Sequence, residues 1–259
     1  MKCLTRSGAP SKLPGVRQLT RPAPSHPLQS ESDGEQVVIV GTGELAAIAF
    51  EYLTYDSPHQ VVAFSAEPDF ITWLPDQSYC GLPALPIDQL AGAYPPQRHR
   101  VFVAVSATGL NRVRRRLLDA VKAAGFECIS YVSSRACVWP SVEIGENAFI
   151  FENCVLQHGS KVGDNVLLWN GASVAHSSVV EDDCCLAPNA AVAGFSRIGR
   201  GSFLGIGSCV SDVLSVAPDC VIGAGAVVIR DTRSRQVYVG NPARPTGSDS
   251  FEVFGIPAE

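Results

Sequence analysis

Residues 167–192 read LLWNGASVAHSSVVEDDCCLAPNAAV, and every sixth position among them is aliphatic: Leu168, Val174, Val180, Leu186 and Val192. The same beat runs from Val132 through Val138, Ile144, Ile150, Leu156 and Val162, and onward through Ile198, Leu204, Val210, Val216, Ile222 and Val228. Four residues after each stands a small or slim residue, as at Ala172, Ser178, Cys184 and Ala190, with Leu214 the bulky exception. A period of six is neither helical nor a simple strand alternation. It predicts a solenoid in which each hexad supplies one short strand and one tight turn, and three hexads close a coil. No hexad can bury its aliphatic residue alone, so the stack stands or falls as a unit.

The coil length places chemistry as well as structure. His158, His176 and Gly194 fall at one phase of successive coils, in the third position of their hexads. They are expected to stack along one corner, facing outward, with the glycine leaving a notch beneath a histidine.

Working outward, 259 residues with 46% hydrophobic content suffice for two cores, and a formal charge of -5 argues against nucleic acid or an anionic membrane as partner. No run resembles a transmembrane segment. Of the nine cysteines, Cys154, Cys184 and Cys220 occupy the small interior hexad position, and the rest show no CxxC or ligand spacing. Reduced thiols and a cytoplasmic location are expected. Residues 1–35, rich in Pro, Ser and basic side chains, are expected to be disordered in isolation.

From 36 to 131 the pattern alternates between strand and helix. Gln36 to Val40 runs into Gly41-Thr42-Gly43-Glu44-Leu45-Ala46 and then a helix, an order that offers backbone N–H groups to a phosphate. Glu67, after the next strand, stands where a ribose acid would be wanted. A helix from Asn111 to Ala124 carries Arg112, Arg114, Arg115 and Arg116, read as a solvated basic face. The expectation is a small α/β domain with a parallel sheet, half a dinucleotide fold, suited to a nucleotide-linked sugar. Coils over 132–245 and a tail over 246–259 complete the chain.

The order Gly41-Thr42-Gly43-Glu44-Leu45-Ala46, Cys80-Gly81-Leu82-Pro83, Ala104-Val105-Ser106 with Asn111-Arg112, coils bearing His176, Gly223-Ala224-Gly225-Ala226 and Gly240-Asn241-Pro242-Ala243 resembles the bacterial hexapeptide-repeat sugar acyltransferases. These include N-acetyltransferases of nucleotide-linked amino sugars and sialic acid O-acetyltransferases. The resemblance covers about 36–245. It implies a left-handed parallel β-helix, acetyl-CoA as acyl donor bound between subunits of a homotrimer, and a nucleotide-sugar site at Gly41, Gly43, Glu44 and Gly81. It also implies His176 as general base, Gly194 presenting its N–H to the thioester oxygen, and Ile206 lining the acetyl-CoA groove, with no metal.

Three positions depart from that pattern. Ser177 follows His176 where the family has an acid, Cys185 replaces a histidine near the acyl donor, and Trp169 replaces an asparagine reaching the sugar. Glu181, Asp182 or Asp183 is the expected substitute acid. Transfer to a sugar hydroxyl and a non-catalytic scaffold stand beside N-acetylation. A zinc lyase would need three histidines, and the coils hold only His158 and His176.

Overall fold

The structure, a computed structural model, describes residues 34–256. The expected disorder of 1–35 therefore falls, apart from Gly34 and Glu35, outside the described residues.

Strands β1 (Gln36–Val40), β2 (Gln60–Ala66), β3 (Ser78–Tyr79), β4 (Leu82–Pro86) and β5 (His99–Val103) form one sheet in the order β3-β4-β2-β1-β5. β1, β2, β4 and β5 are parallel, while β3 is an antiparallel edge strand folded back on β4 through Cys80-Gly81. The expected small parallel sheet is thus present over β4-β2-β1-β5, with one short antiparallel edge strand added. Helices α1 (Glu44–Tyr55), α2 (Pro68–Thr72), α3 (Leu90–Ala93) and α4 (Arg112–Ala123) complete this unit. Strand order reverses between β1 and β5, beside the glycine loop, the kind of switch point at which open α/β sheets take their ligands.

The hexads coil into a three-sided left-handed β-helix. Face one begins at Tyr131–Val132 and continues through Phe149–Ile150, Leu167–Leu168, Cys185–Leu186, Phe203–Leu204 and Val221–Ile222. Face two runs from Cys137–Val138 to Val227–Val228, and face three from Glu143–Ile144 to Ser215–Val216. The register advances by one coil without slippage, as in Val155↔Ser173↔Ala191↔Cys209↔Val227. From Ile150 to Val228 the sixth-position aliphatics are buried in one core, with Cys154, Cys184 and Cys220 among them.

The strand residue preceding each aliphatic points outward, and its chemistry differs by face. On face one these are Tyr131, Phe149, Leu167, Cys185 and Phe203, and they share a core with the α/β unit. On face three they are Glu143, Lys161, Val179, Arg197 and Ser215, a largely solvent-facing set. On face two they are Cys137, Val155, Ser173, Ala191, Cys209 and Val227, small, uncharged and mostly half-buried.

Helix α4 corrects the expectation of a solvated arginine face. Arg114 is wholly buried, and its guanidinium donates to the Asn147 carbonyl at 2.7 Å and the Val103 carbonyl at 3.3 Å. Burial, opposed by Asp183 and Cys185, lowers its pKa to about 10, so it remains charged at neutral pH. Arg112 pairs with Asp219 at 2.9 Å, and Arg116 binds Glu67 at 2.8 Å, so Glu67 is engaged by α4. A polar ladder meets this helix on the vertex between faces three and one: Asn147 to Asn165 at 3.0 Å, then Asn165 to Asp183 at 2.8 Å. Helix α4 therefore joins the sheet to the coils.

The C-terminal segment also has a place. Arg244–Asp249 pairs antiparallel with Gln236–Val239, and a short helix, α5 (Ser250–Val253), follows. Phe251 lies between the guanidiniums of Arg112, 4.2 Å away, and Arg235, 4.1 Å away.

Candidate active site

His176 sits on the vertex between faces two and three, in the turn after strand Ser173–Val174. Its backbone N–H donates to Gln157 Oε1 at 3.1 Å, and its exposed ring meets Phe195 edge-on at 4.9 Å. One coil along, Gly194 lies directly against that ring. A Cβ there would stand 2.6 Å from His176 Cε1 and 2.8 Å from Nε2. The missing side chain at 194 is what lets the imidazole lie flat on the coil, so the expected notch is real. His158 occupies the same vertex one coil earlier, with Nδ1 2.9 Å from Ser141 Oγ.

Among the described residues no carboxylate binds the His176 ring. Ser177, at φ 56°, is exposed. The three expected substitutes are committed elsewhere: Glu181 to Arg197 and the Arg200 N–H, Asp182 to the Asp164 N–H, and Asp183 to Arg200 and Asn165. Their positions on face three and the next vertex explain why. Two coils along the histidine's own vertex stands Asp212, whose Oδ1 accepts the Gly194 N–H at 3.0 Å. That N–H, expected to await a thioester oxygen, already holds a negatively charged one.

The glycine loop is a second constellation. Gly41, at φ 137°, packs so tightly that a Cβ would lie 2.6 Å from the Ala104 carbonyl oxygen, which fixes β1 against the segment after β5. Gly43 caps α1 with open space around it, and Glu44 is exposed in the first turn. The Tyr79 hydroxyl donates to the Gly43 carbonyl at 3.1 Å, which draws Gly81 (φ 79°) to the same loop. Burial, reinforced by Cys80 and Glu44, raises the Tyr79 pKa to about 12, so it stays a donor. Gly41, Gly43, Glu44 and Gly81 are thus brought together.

The two constellations are not brought together within one chain. The α/β unit rests on face one, and in a triangular prism the His176 vertex is the one opposite that face. Ile206, 59% exposed, lies on the vertex between faces one and two, separated from Gly194 by face two. Trp169, on that same vertex, stacks on Phe151 at 4.5 Å, and Cys185 is buried in the core shared with the α/β unit.

Two overlapping stretches, 141–176 and 159–194, match the bacterial transferase hexapeptide family of six repeats. Among solved structures, PerB from Caulobacter crescentus, in complex with CoA and GDP-perosamine, is 30% identical. That likeness covers 82% of this chain and 97% of PerB, with a TM-score of 0.72. The chain belongs to the bacterial hexapeptide-repeat sugar acyltransferases. The acetyltransferase domain of PglB from Neisseria gonorrhoeae FA1090, solved with acetyl coenzyme A, is 27% identical over 82% of this acyltransferase and 99% of that domain, with a TM-score of 0.71. A shorter likeness, 41% over 51 residues, is to serine acetyltransferase 3, mitochondrial, of Arabidopsis thaliana; it spans 20% of this acyltransferase and 13% of that protein.

Among the described residues of this acyltransferase no group of three or more His, Cys, Asp or Glu could hold a metal ion, and no helix is long and apolar enough to cross a membrane. The arginine clasp was missed by sequence reasoning: Asn147, Asn165 and Asp183 recur at the coil spacing, but nothing local marks Arg114 among the four arginines of α4 as the buried one.

Proposed function

We propose that this enzyme transfers the acetyl group of acetyl-CoA to the amino group of a nucleotide-linked deoxysugar, with His176 as general base. The observation that carries the reading is the exposed imidazole seated on Gly194. Support comes from the likeness to PerB and to perosamine N-acetyltransferase from the same bacterium, solved with a histidine replaced by alanine or asparagine.

The amine attacks the thioester carbon while the imidazole takes its proton, so the C–N bond forms as the carbonyl π electrons move onto oxygen. Imidazole suits this near neutral pH, and such a base contributes about 10²–10⁴-fold. The oxyanion is held by the Gly194 N–H, once the Asp212 carboxylate gives up that bond. Collapse breaks the C–S bond, and the imidazolium returns its proton to the departing CoA thiolate. No covalent enzyme intermediate is needed.

In this reading the first N–H groups of α1 and the backbone at Gly41, Gly43 and Gly81 receive the sugar's diphosphate, and Glu44 accepts a hydroxyl. Since one chain carries this loop on the side opposite His176, the proposed unit is a homotrimer, in which the loop of one protomer faces the histidine of another. The small outward residues of face two and the exposed Trp139, Phe195 and Val213 on the histidine vertex support such a contact. A cytoplasmic enzyme fits the free thiols among the described residues.

The test is thiol release from acetyl-CoA with a panel of nucleotide-linked amino and hydroxy sugars. Turnover only with an amino sugar is expected, carried by wild type and lost in His176→Ala. Turnover only with a hydroxy sugar would reassign the acceptor, and unchanged turnover in the variant would remove the base.

A further inference from the structure

Gly194 is buried beneath the His176 ring, so its peptide N–H needs a hydrogen-bond partner in the free protein. That partner is Asp212, whose Oδ1 stands 3.0 Å away. The same device recurs on another vertex, where Asp164 accepts the Glu146 N–H at 2.8 Å and Asp182 accepts the Asp164 N–H at 2.9 Å, each carboxylate reaching back one coil. Those two bonds cap turns on a vertex that carries no histidine. At Gly194 the bond falls on the residue against which the imidazole is seated.

Asp212 is also held more loosely than the other acids of the coils. Asp183 is fixed by Arg200 and Asn165, and Glu181 by Arg197. Asp212 is exposed, and among the described residues its carboxylate is in no ion pair and accepts that one hydrogen bond. It can leave without disturbing the coil.

Charge decides what displaces it. A carboxylate oxygen binds an amide N–H roughly twice as strongly as the neutral oxygen of a thioester does, because the bond is charge-assisted. A neutral thioester therefore gains little by taking the N–H from Asp212. The tetrahedral oxyanion, itself a charged oxygen, takes it without loss.

We propose that Asp212 is a positioning residue that occupies the acyl-oxygen subsite of the free enzyme, withholding the Gly194 N–H from the ground-state thioester and yielding it to the oxyanion. The proposal rests on the acetyl-CoA reading above. It makes free CoA, which has no acyl oxygen, a close competitor of the acyl donor.

Titration calorimetry of the full chain with acetyl-CoA and with CoA tests it, because the two ligands differ at the acyl group alone. The readout is the ratio of the two affinities in each protein. In Asp212→Ala the N–H is freed, and the ratio is expected to move toward acetyl-CoA by about three- to tenfold, the effect of one ordinary hydrogen bond. A turn cap with no part in the acyl site would shift both affinities together. An unmoved ratio, or one that moves toward CoA, thus overturns the proposal while leaving acetyl-CoA as donor. Absence of any acetyl-CoA isotherm in wild type overturns the donor reading and the proposal with it, and is recognisable as such. Should Asp212→Ala not fold, Asp212→Asn, which keeps an oxygen but not the charge, carries the same comparison with a smaller expected rise, and no rise overturns the proposal.

Discussion

Gly194 shows how a single hydrogen atom can determine a site. Its φ lies outside the left-handed region, so the backbone would accept alanine, yet the added methyl would overlap the His176 ring. Gly194→Ala is therefore expected to fold with a nearly unchanged Tm while kcat falls on the order of 10²-fold through displacement of the base. An unaltered kcat would show that the ring's seat on Gly194 does not matter. His176→Ala should lose about 10²–10⁴-fold in kcat. The stacking of both residues on one vertex was legible from the repeat phase, whereas the choice of His176 over His158 came from the family resemblance. The engagement of Glu181, Asp182 and Asp183 was not, because their place in the sequence puts them around a corner, where Arg197 takes Glu181, the Asp164 N–H takes Asp182 and Arg200 takes Asp183.

At the scale of elements, the joint between the α/β unit and the coils is polar as well as apolar. Arg114 fills buried volume and donates to two backbone carbonyls. Truncation in Arg114→Ala is expected to cost about 3–5 kcal/mol, whereas Arg114→Met, which refills the space and removes a desolvated charge, should cost about 1–3 kcal/mol. Urea midpoints of the two variants make the comparison. On the same joint, burial opposes ionisation of Asp56, but hydrogen bonds from Ser134, Tyr131 and Ser133 outweigh it and hold its pKa below the ordinary carboxylate range. A depressed folded pKa contributes stability that is present above the unfolded value, about 3.9, and is lost as pH falls through the folded one. The Tm of wild type should accordingly drop more steeply below about pH 4 than that of Asp56→Asn. Parallel curves would show that this carboxylate does not hold the joint.

For the whole molecule the decisive question is how the glycine loop meets His176. If protomers share the site, Gly43→Leu, which fills the open space at the loop, and His176→Ala should each be inactive as pure proteins and regain activity when co-assembled. No recovery on mixing would place the site within one chain. Val213→Asp, which puts a charge on the exposed histidine vertex, is expected to lower the mass measured by analytical ultracentrifugation toward that of a single chain.

The sixth-residue beat by itself determined the prism, its core and the stacking of His158, His176 and Gly194, because a repeat that buries one residue per hexad leaves a single way to align the coils. It also marked the glycine loop, since strand, glycine turn and helix are local. Only the tertiary structure decided which face the α/β unit covers, that Arg114 is buried, and that loop and histidine lie on opposite sides of the chain. Those depend on which outward side chains meet across hundreds of atoms of another unit, and no local periodicity records that.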